Sequence, residues 1–255
     1  MLKKKIDIIH PSLDSDDKIL ISNIYDKLER SYLRQIPEYS DFLDNRQMGL
    51  VKNTFSFLKD EIKFDGGIKN SEWQLCYLAL EYCSLPVNII KISNLDKSKI
   101  SHSDVLGSIM AHGIKRQKIG DIIISNEIFF AVKEEITSYI LENLIKISTY
   151  NVKLEIATNN ENIKRDYEFL DINTTVSSLR LDCVISSILN LSREKSKELI
   201  LSGRVNLNHF EILDNRKLLS KNDVISIKKF GRFILSEING QTKKDRTKIL
   251  IKKFI

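Results

Sequence analysis

Apolar residues in the first sixty positions recur at helical spacing. Ile19, Ile24 and Leu28 share one side of a helix that the acidic pair Asp16-Asp17 can open. Pro37 breaks that pattern, and a second helical segment beginning at residues 41–44 carries Gln47, Leu50, Val51, Phe55 and Leu58. The period then shortens. Residues 62–67 read as a strand ending in the Gly66-Gly67 turn, and residues 72–80 as a second strand able to pair with it.

From Val87 the pattern is clearer. Residues 87–93 form a β-branched apolar run, and residues 102–113 place Val105, Leu106, Ile109 and Met110 on one helix face. Gly120-Asp121 leads into a strand at 122–125. Asn126 marks a tight turn before a strand at 128–132, followed by an amphipathic helix at 134–147 and a strand at 152–157. The order β-α-β-β-α-β is the split βαβ pattern of ferredoxin-like and RRM folds. Phe129 and Phe130 are adjacent, so one faces the open side of such a sheet and the other its core, which argues against ordinary RRM-type stacking.

Polar residues at 158–166 read as a linker. Two short helices follow at 179–189 and 192–201, with Ser192 as N-cap and Gly203 as the C′ residue of the second. Strands are expected at 205–207, at 224–228 and from Phe233, which with Phe230 is assigned to the core. The fold class is therefore α+β in three parts. These are a mainly helical N-terminal domain at 1–84, a ferredoxin- or RRM-like βαββαβ domain at 85–165, and an α-then-β module with a basic tail at 170–255.

Composition is that of a globular chain, 42% apolar and 29% charged, which excludes a disordered polyelectrolyte. Cys76, Cys83 and Cys183 show no CxxC spacing, so neither a disulfide framework nor a zinc site is expected, and a reducing cytoplasm fits. Lys3, Lys4 and Lys5 resemble the start of an export signal, but Asp7, His10 and Asp14 replace its apolar segment. No run is long enough to span a membrane.

Charge changes the picture more. Residues 171–255 hold 17 Lys and Arg against 9 Asp and Glu, while the first 170 residues hold 23 against 25. The whole positive excess lies in the last third, which points to a polyanionic partner there. Arg193 and Lys197 are one helical turn apart near a positive helix N-terminus, where a phosphate can take guanidinium and backbone donors together. Gly203-Arg204-Val205-Asn206 turns the chain into the neighbouring strand. Lys228, Lys229 and Arg232, then Lys243, Lys244 and Arg246, add basic residues interleaved with aromatics, a combination suited to backbone neutralisation. Lys115, Arg116 and Lys118, on a connection of the middle domain, form a possible second RNA site.

Arg180-Leu181-Asp182, Ser192-Arg193, Gly203-Arg204-Val205-Asn206 and Asn222-Asp223-Val224-Ile225 occur in the order found in S4 RNA-binding domains, and residues 179–240 resemble that family. The resemblance implies an αL-type two-helix face reading helical RNA by shape and phosphates. It puts Arg180, Ser192, Arg193, Lys197, Gly203, Arg204 and Asn206 on the RNA side, with Asp182 pairing to a nearby cation. A wider resemblance, to YlmH-type proteins, rests on residues 105–107, 113–122, 42–47, 231–233 and 242–244. Asn45 and Asp245 depart from it, standing where proline and glycine are common. This wider likeness implies a cytoplasmic protein on the large ribosomal subunit, contacting ribosomal RNA and tRNA during rescue of stalled nascent chains. Some members are linked to cell division.

A monomer without cofactor, metal or membrane contact is expected, and no enzyme. Pseudouridine synthases with S4 domains use an Asp within Arg-Leu-Asp, but Arg180-Leu181-Asp182 lies inside the module and only ~70 residues follow it. Gly66-Gly67 opens no helix of the kind a methyltransferase needs. His10, His102, His112 and His209 are scattered, without the i, i+4 spacing of a helical metal pair. An RNA-modifying enzyme and a cell-division interaction protein remain the alternatives.

Overall fold

A computed structural model describes residues 13–95, 100–158, 163–243 and 245–255. His10, the lysines at the start of the chain, part of the expected linker and Lys244 lie outside the described residues. The chain divides into two compact units, residues 1–166 and 167–255.

In unit 1, helix α1 (Ser15–Arg34) is capped by Asp14, whose carboxylate accepts the Asp17 N–H at 2.7 Å. Asp16 and Asp17 thus fall in the first turn, where negative charge suits the helix dipole. Asp17 also takes two hydrogen bonds from Arg46, at 2.8 and 2.6 Å, tying α1 to helix α2 (Asn45–Thr54). A reciprocal Asp44–Gln47 capping box starts α2. Asn45 is therefore the first helical residue, the position at which proline is most readily accepted. Strands β1 (Ile62–Asp65) and β2 (Leu75–Leu78) pair antiparallel as expected.

The next elements are β3 (Val87–Ser93), helix α3 (His102–Met110), β4 (Ile119–Ile124), β5 (Ile128–Lys133), helix α4 (Thr137–Asn143), a small ladder of β6 (Lys146–Ile147) and β7 (Tyr150–Asn151), and β8 (Lys153–Ile156). The helix expected over 134–147 is shorter, opening with a 3-10 turn and ending at Asn143; Ile145 and Ile147, both β-branched, belong to the turn back into the ladder. The sheet order is β4-β5-β3-β8, with every paired neighbour antiparallel.

Both faces of this sheet are covered. Ile90, Ile92, Phe130 and Val132 pack with Val105, Ile109 and Ile140 of the two helices. On the other face Ile89, Ile123, Phe129 and Ala131 pack with Phe42, Ile68 and Leu75 from the N-terminal segment. The expectation of one open face is thereby corrected: Phe129 is only 9% exposed. Two buried faces also account for strands that read as continuous apolar runs. Close approach requires Gly120, because a Cβ there would lie 2.7 Å from the Phe42 ring. Beside it, the buried Asp121 carboxylate accepts the N–H groups of Glu72 (2.8 Å) and Trp73 (3.1 Å) and a bond from Arg165 (3.2 Å). Ile163 is buried and the Arg165 N–H meets Lys69 O at 2.9 Å, so the described end of the expected linker is built into unit 1.

Unit 2 contains β9 (Phe169–Val176), helix α5 (Leu181–Leu189), helix α6 (Arg193–Leu201), β10 (Val205–Leu207), β11 (Phe210–Glu211), β12 (Val224–Ile227), β13 (Gly231–Gln241) and β14 (Thr247–Phe254). Its sheet runs β11-β10-β12-β13-β14-β9, with β9 and β14, first and last of the unit along the chain, paired over eight residues. The two helices cover one face through Val184, Ile185 and Ile200, packed with Val205, Ile225, Phe233 and Ile251. Phe233 is core as expected. Phe230 is not: it sits in the β12–β13 turn, 39% exposed. Among the described residues no helix is long and apolar enough to cross a membrane.

Candidate nucleic-acid interface

The start of α5 is organised around Asp182, whose side chain is only 5% exposed. Arg180, at the N-cap, donates Nε to Oδ1 at 3.1 Å and Nη2 to Oδ2 at 2.7 Å. Asn215 Nδ2 and Arg193 Nη2 donate to Oδ2 at 3.2 and 3.5 Å. Burial alone would raise this carboxyl; hydrogen bonds from Arg180, Cys183 and Asn215, with the Arg180 charge, hold it at about 2. The backbone is fixed as well, since the N–H groups of Leu181 and Asp182 meet the carbonyls of Lys217 (2.9 Å) and Asn215 (3.2 Å). Arg180 and Arg193 are thus drawn to one anchor, and Arg193 remains 57% exposed.

Ser192 caps α6 as expected, its Oγ accepting the Lys195 N–H at 3.2 Å. Lys197 lies exposed one turn beyond Arg193. At the other end of α6, Gly203 has φ +66°, a left-handed conformation that a Cβ resists, and that Cβ would also sit 3.0 Å from the Glu211 carboxylate. Arg204 follows, with Nε bonded to Ser202 Oγ at 2.8 Å. Its carbonyl accepts the Lys228 N–H at 2.9 Å, which puts the β12–β13 turn beside it. Arg204, Lys228, Lys229 and the Phe230 ring therefore share one solvent-facing edge. Asn206 is half-buried in β10, opposite Ser226 and Glu211.

The remaining basic residues divide. Arg232 lies on the outer sheet face with its guanidinium 3.9 Å from the Phe254 ring centroid, in an aromatic group with Tyr167 and Phe169. Arg246 is committed to β9, donating to Thr175 Oγ1 (3.0 Å) and Thr175 O (2.6 Å). Lys243 is exposed at the far end of β13, roughly 30 Å along the strand from Lys229. Asp245 has φ +53°, which is the reason glycine suits that position.

In unit 1 the three basic candidates also part company. Arg116 stacks on Trp73 at 3.7 Å and bonds the carbonyls of Ile119 and Gly120, and burial pulls its guanidinium below the ordinary arginine value. Lys118 is held between Asp41 and Glu135, 2.7 Å from each. Lys115 alone of the three is exposed. Arg216 and Lys217, not among the sequence candidates, are exposed on the segment that caps α5. Their signal was a basic pair within a polar loop; its docking onto α5 is long-range and invisible to local spacing. Among the described residues no His, Cys, Asp and Glu side chains are grouped to hold a metal ion.

A family model described as "Putative RNA-binding domain in YlmH" matches residues 85–161. The "Ribosome-associated protein quality control protein P2" of Bacillus subtilis (strain 168) is 31% identical over 253 residues, covering 90% of this chain and 98% of its own length. The chain belongs to the YlmH family. A solved structure, "Cell division protein ylmH from Streptococcus pneumoniae", is 20% identical with a TM-score of 0.46, covering 61% of this chain and 99% of that one. YlmH membership agrees with the resemblance drawn from residues 42–47, 105–107, 113–122, 231–233 and 242–244, which lie in both units.

Proposed function

We propose that the chain is a cytoplasmic, monomeric and non-enzymatic factor that binds the large ribosomal subunit through ribosomal RNA and tRNA during rescue of stalled nascent chains. In this reading unit 2 is an S4 domain extended by β9 and β14. Residues 85–165 are a ferredoxin-like, RRM-related domain, supported by its strand order, and residues 1–84 an N-terminal domain that shares a core with it. The observation that carries the reading is the basic rim of unit 2, where Arg193 and Lys197 on α6 are followed by Arg204, Lys228 and Lys229 at the adjoining turns. An A-form duplex, read by shape and phosphates, fits such a rim. The match to a family described as RNA-binding, and the relative named for ribosome-associated quality control, support the same partner. Arg180-Leu181-Asp182 favours binding over RNA modification, because the carboxylate is occupied by two arginines and Asn215.

The test is co-sedimentation of the purified chain with large ribosomal subunits across a salt series. Retention at low salt with steep loss at higher salt is expected. Arg193→Ala with Lys197→Ala should lose most of the retained protein. Wild-type protein that stays in the supernatant would end this proposal, and unchanged retention of the double variant would remove α6 from the contact.

A further inference from the structure

Helix α2 ends at Thr54, and the chain passes through Phe55 and a 3-10 turn (Ser56–Leu58) before it enters β1. This bend encloses a hollow of about 380 Å³ lined by Lys52, Phe55, Ser56, Lys59, Ile62 and Phe64. Most of that lining is apolar. Phe55 and Ile62 are buried, and Phe64 is half-buried. The polar groups are two lysines and one hydroxyl. No carboxylate lines the hollow, although Asp60 and Glu61 follow Lys59 directly in the chain.

The two lysines are not neutralised from within the protein. Both are exposed, and neither has an ion-pair partner among the described residues. Elsewhere in unit 1, Arg30, Arg46, Lys118 and Lys133 each face a carboxylate at 3.3 Å or less. Lys52 is nevertheless held in place, with its ammonium 4.9 Å from the centroid of the Phe64 ring. That cation–π contact keeps a positive charge at the wall of an apolar hollow. Lys59 adds a second charge to the same rim.

An apolar pocket with a few polar groups selects a ligand divided in the same way, here an apolar group that carries a negative charge beside it. A nucleobase is a poor match, because its donors and acceptors would enter the hollow with the Ser56 hydroxyl as their one neutral partner. Lys3, Lys4 and Lys5 repeat the sign of the rim, so that stretch of this chain is not its complement. We propose that the hollow docks a segment of another protein, taking an aromatic side chain against Phe55, Ile62 and Phe64 while a neighbouring carboxylate of that segment pairs with Lys52. An apolar anchor in a pocket, ringed by charge that sets the choice of partner, is the usual economy of a peptide contact. The inference stands apart from RNA binding by unit 2 and holds whether or not that reading does.

The test follows the isoleucine methyl signals of the full chain by NMR while an unlabelled short peptide, one phenylalanine flanked by aspartates, is titrated in. Ile62→Val assigns the Ile62 signal. A saturable shift of that methyl is expected. Replacing the phenylalanine of the peptide by alanine should weaken binding about thirtyfold. Replacing its aspartates by lysines should abolish the shift. Lys52→Glu with Lys59→Glu should reverse the preference, so that the lysine-flanked peptide binds and the aspartate-flanked one does not; both side chains are exposed, so the fold tolerates the change. Ser56→Trp fills the hollow and should remove binding of either peptide while the remaining methyl signals stay in place. An Ile62 methyl that does not shift with the aspartate-flanked peptide, or shifts equally with the lysine-flanked one, would overturn the proposal. If a ribosomal RNA hairpin or octanoate moves the Ile62 methyl and the peptide does not, the hollow serves another occupant and the proposal falls, while RNA binding by unit 2 is left as it was.

Discussion

Asp182 shows how one residue can decide whether a basic motif binds or merely folds. Its carboxyl is held at about 2 in the folded chain, below the ordinary aspartate value of about 3.9. A depressed folded value means stability that is complete above pH ~4 and lost as the pH falls through ~2, amounting to about 2 kcal/mol. Changes around neutral pH should leave it untouched. Asp182→Asn removes the anchor shared by Arg180 at the start of α5 and Arg193 at the start of α6, and is expected to lower stability at neutral pH by about 2 kcal/mol. Hydrogen exchange at the Leu181 and Asp182 amides would read this locally, and unchanged protection would show that the arginines do not depend on the anchor. Asp245 gives a second test. Asp245→Gly relieves φ +53° and removes a negative charge beside Lys243, so stability should rise by about 0.5–1 kcal/mol and RNA should bind more tightly. A lower thermal midpoint would contradict the strain argument.

At the scale of elements, what was legible followed the range of the interaction. The two N-terminal helices, the β1–β2 pair, β3 and the caps at Asp44 and Ser192 are written in local periodicity and local hydrogen-bonding residues. The pairing of β9 with β14 is not, because it joins segments more than seventy residues apart. The closed sheet of unit 1 is the instructive case. Ile128-Phe129-Phe130-Ala131-Val132 contains apolar residues of both parities, which marks a strand buried on two sides. Adjacency of the two phenylalanines by itself predicts one open face, because the residues that close it, Phe42 and Leu75, lie far upstream. Phe129→Ala should accordingly destabilise unit 1 by about 3–5 kcal/mol, as for a core aromatic. Trp73 fluorescence during denaturation reports it. Full stability with weaker RNA binding would instead mean that the ring is a stacking platform.

For the whole molecule, the uneven charge read from the sequence becomes a question of how many separate contacts it makes. Of the basic candidates in unit 2, Arg246 is spent on Thr175 and Arg232 is stacked on Phe254, so the formal excess overstates what a phosphate can meet. That division was not readable from composition, since it depends on which strand lies beside which. Among the described candidates two exposed points lie well apart: the rim of Arg193, Lys197, Arg204, Lys228 and Lys229, and Lys243 at the far end of β13. Sites separated by more than ~10 Å without shared partners contribute additively. Lys228→Ala with Lys229→Ala should therefore lower the salt slope of ribosomal RNA binding by about 1.5, and Lys243→Ala by about 0.8. If one RNA spans both points, the triple variant should show the sum of the two effects. If Lys243→Ala changes neither affinity nor slope, the bound RNA stops short of the hairpin end, and the contact surface of unit 2 contracts to the rim between α6 and the β12–β13 turn.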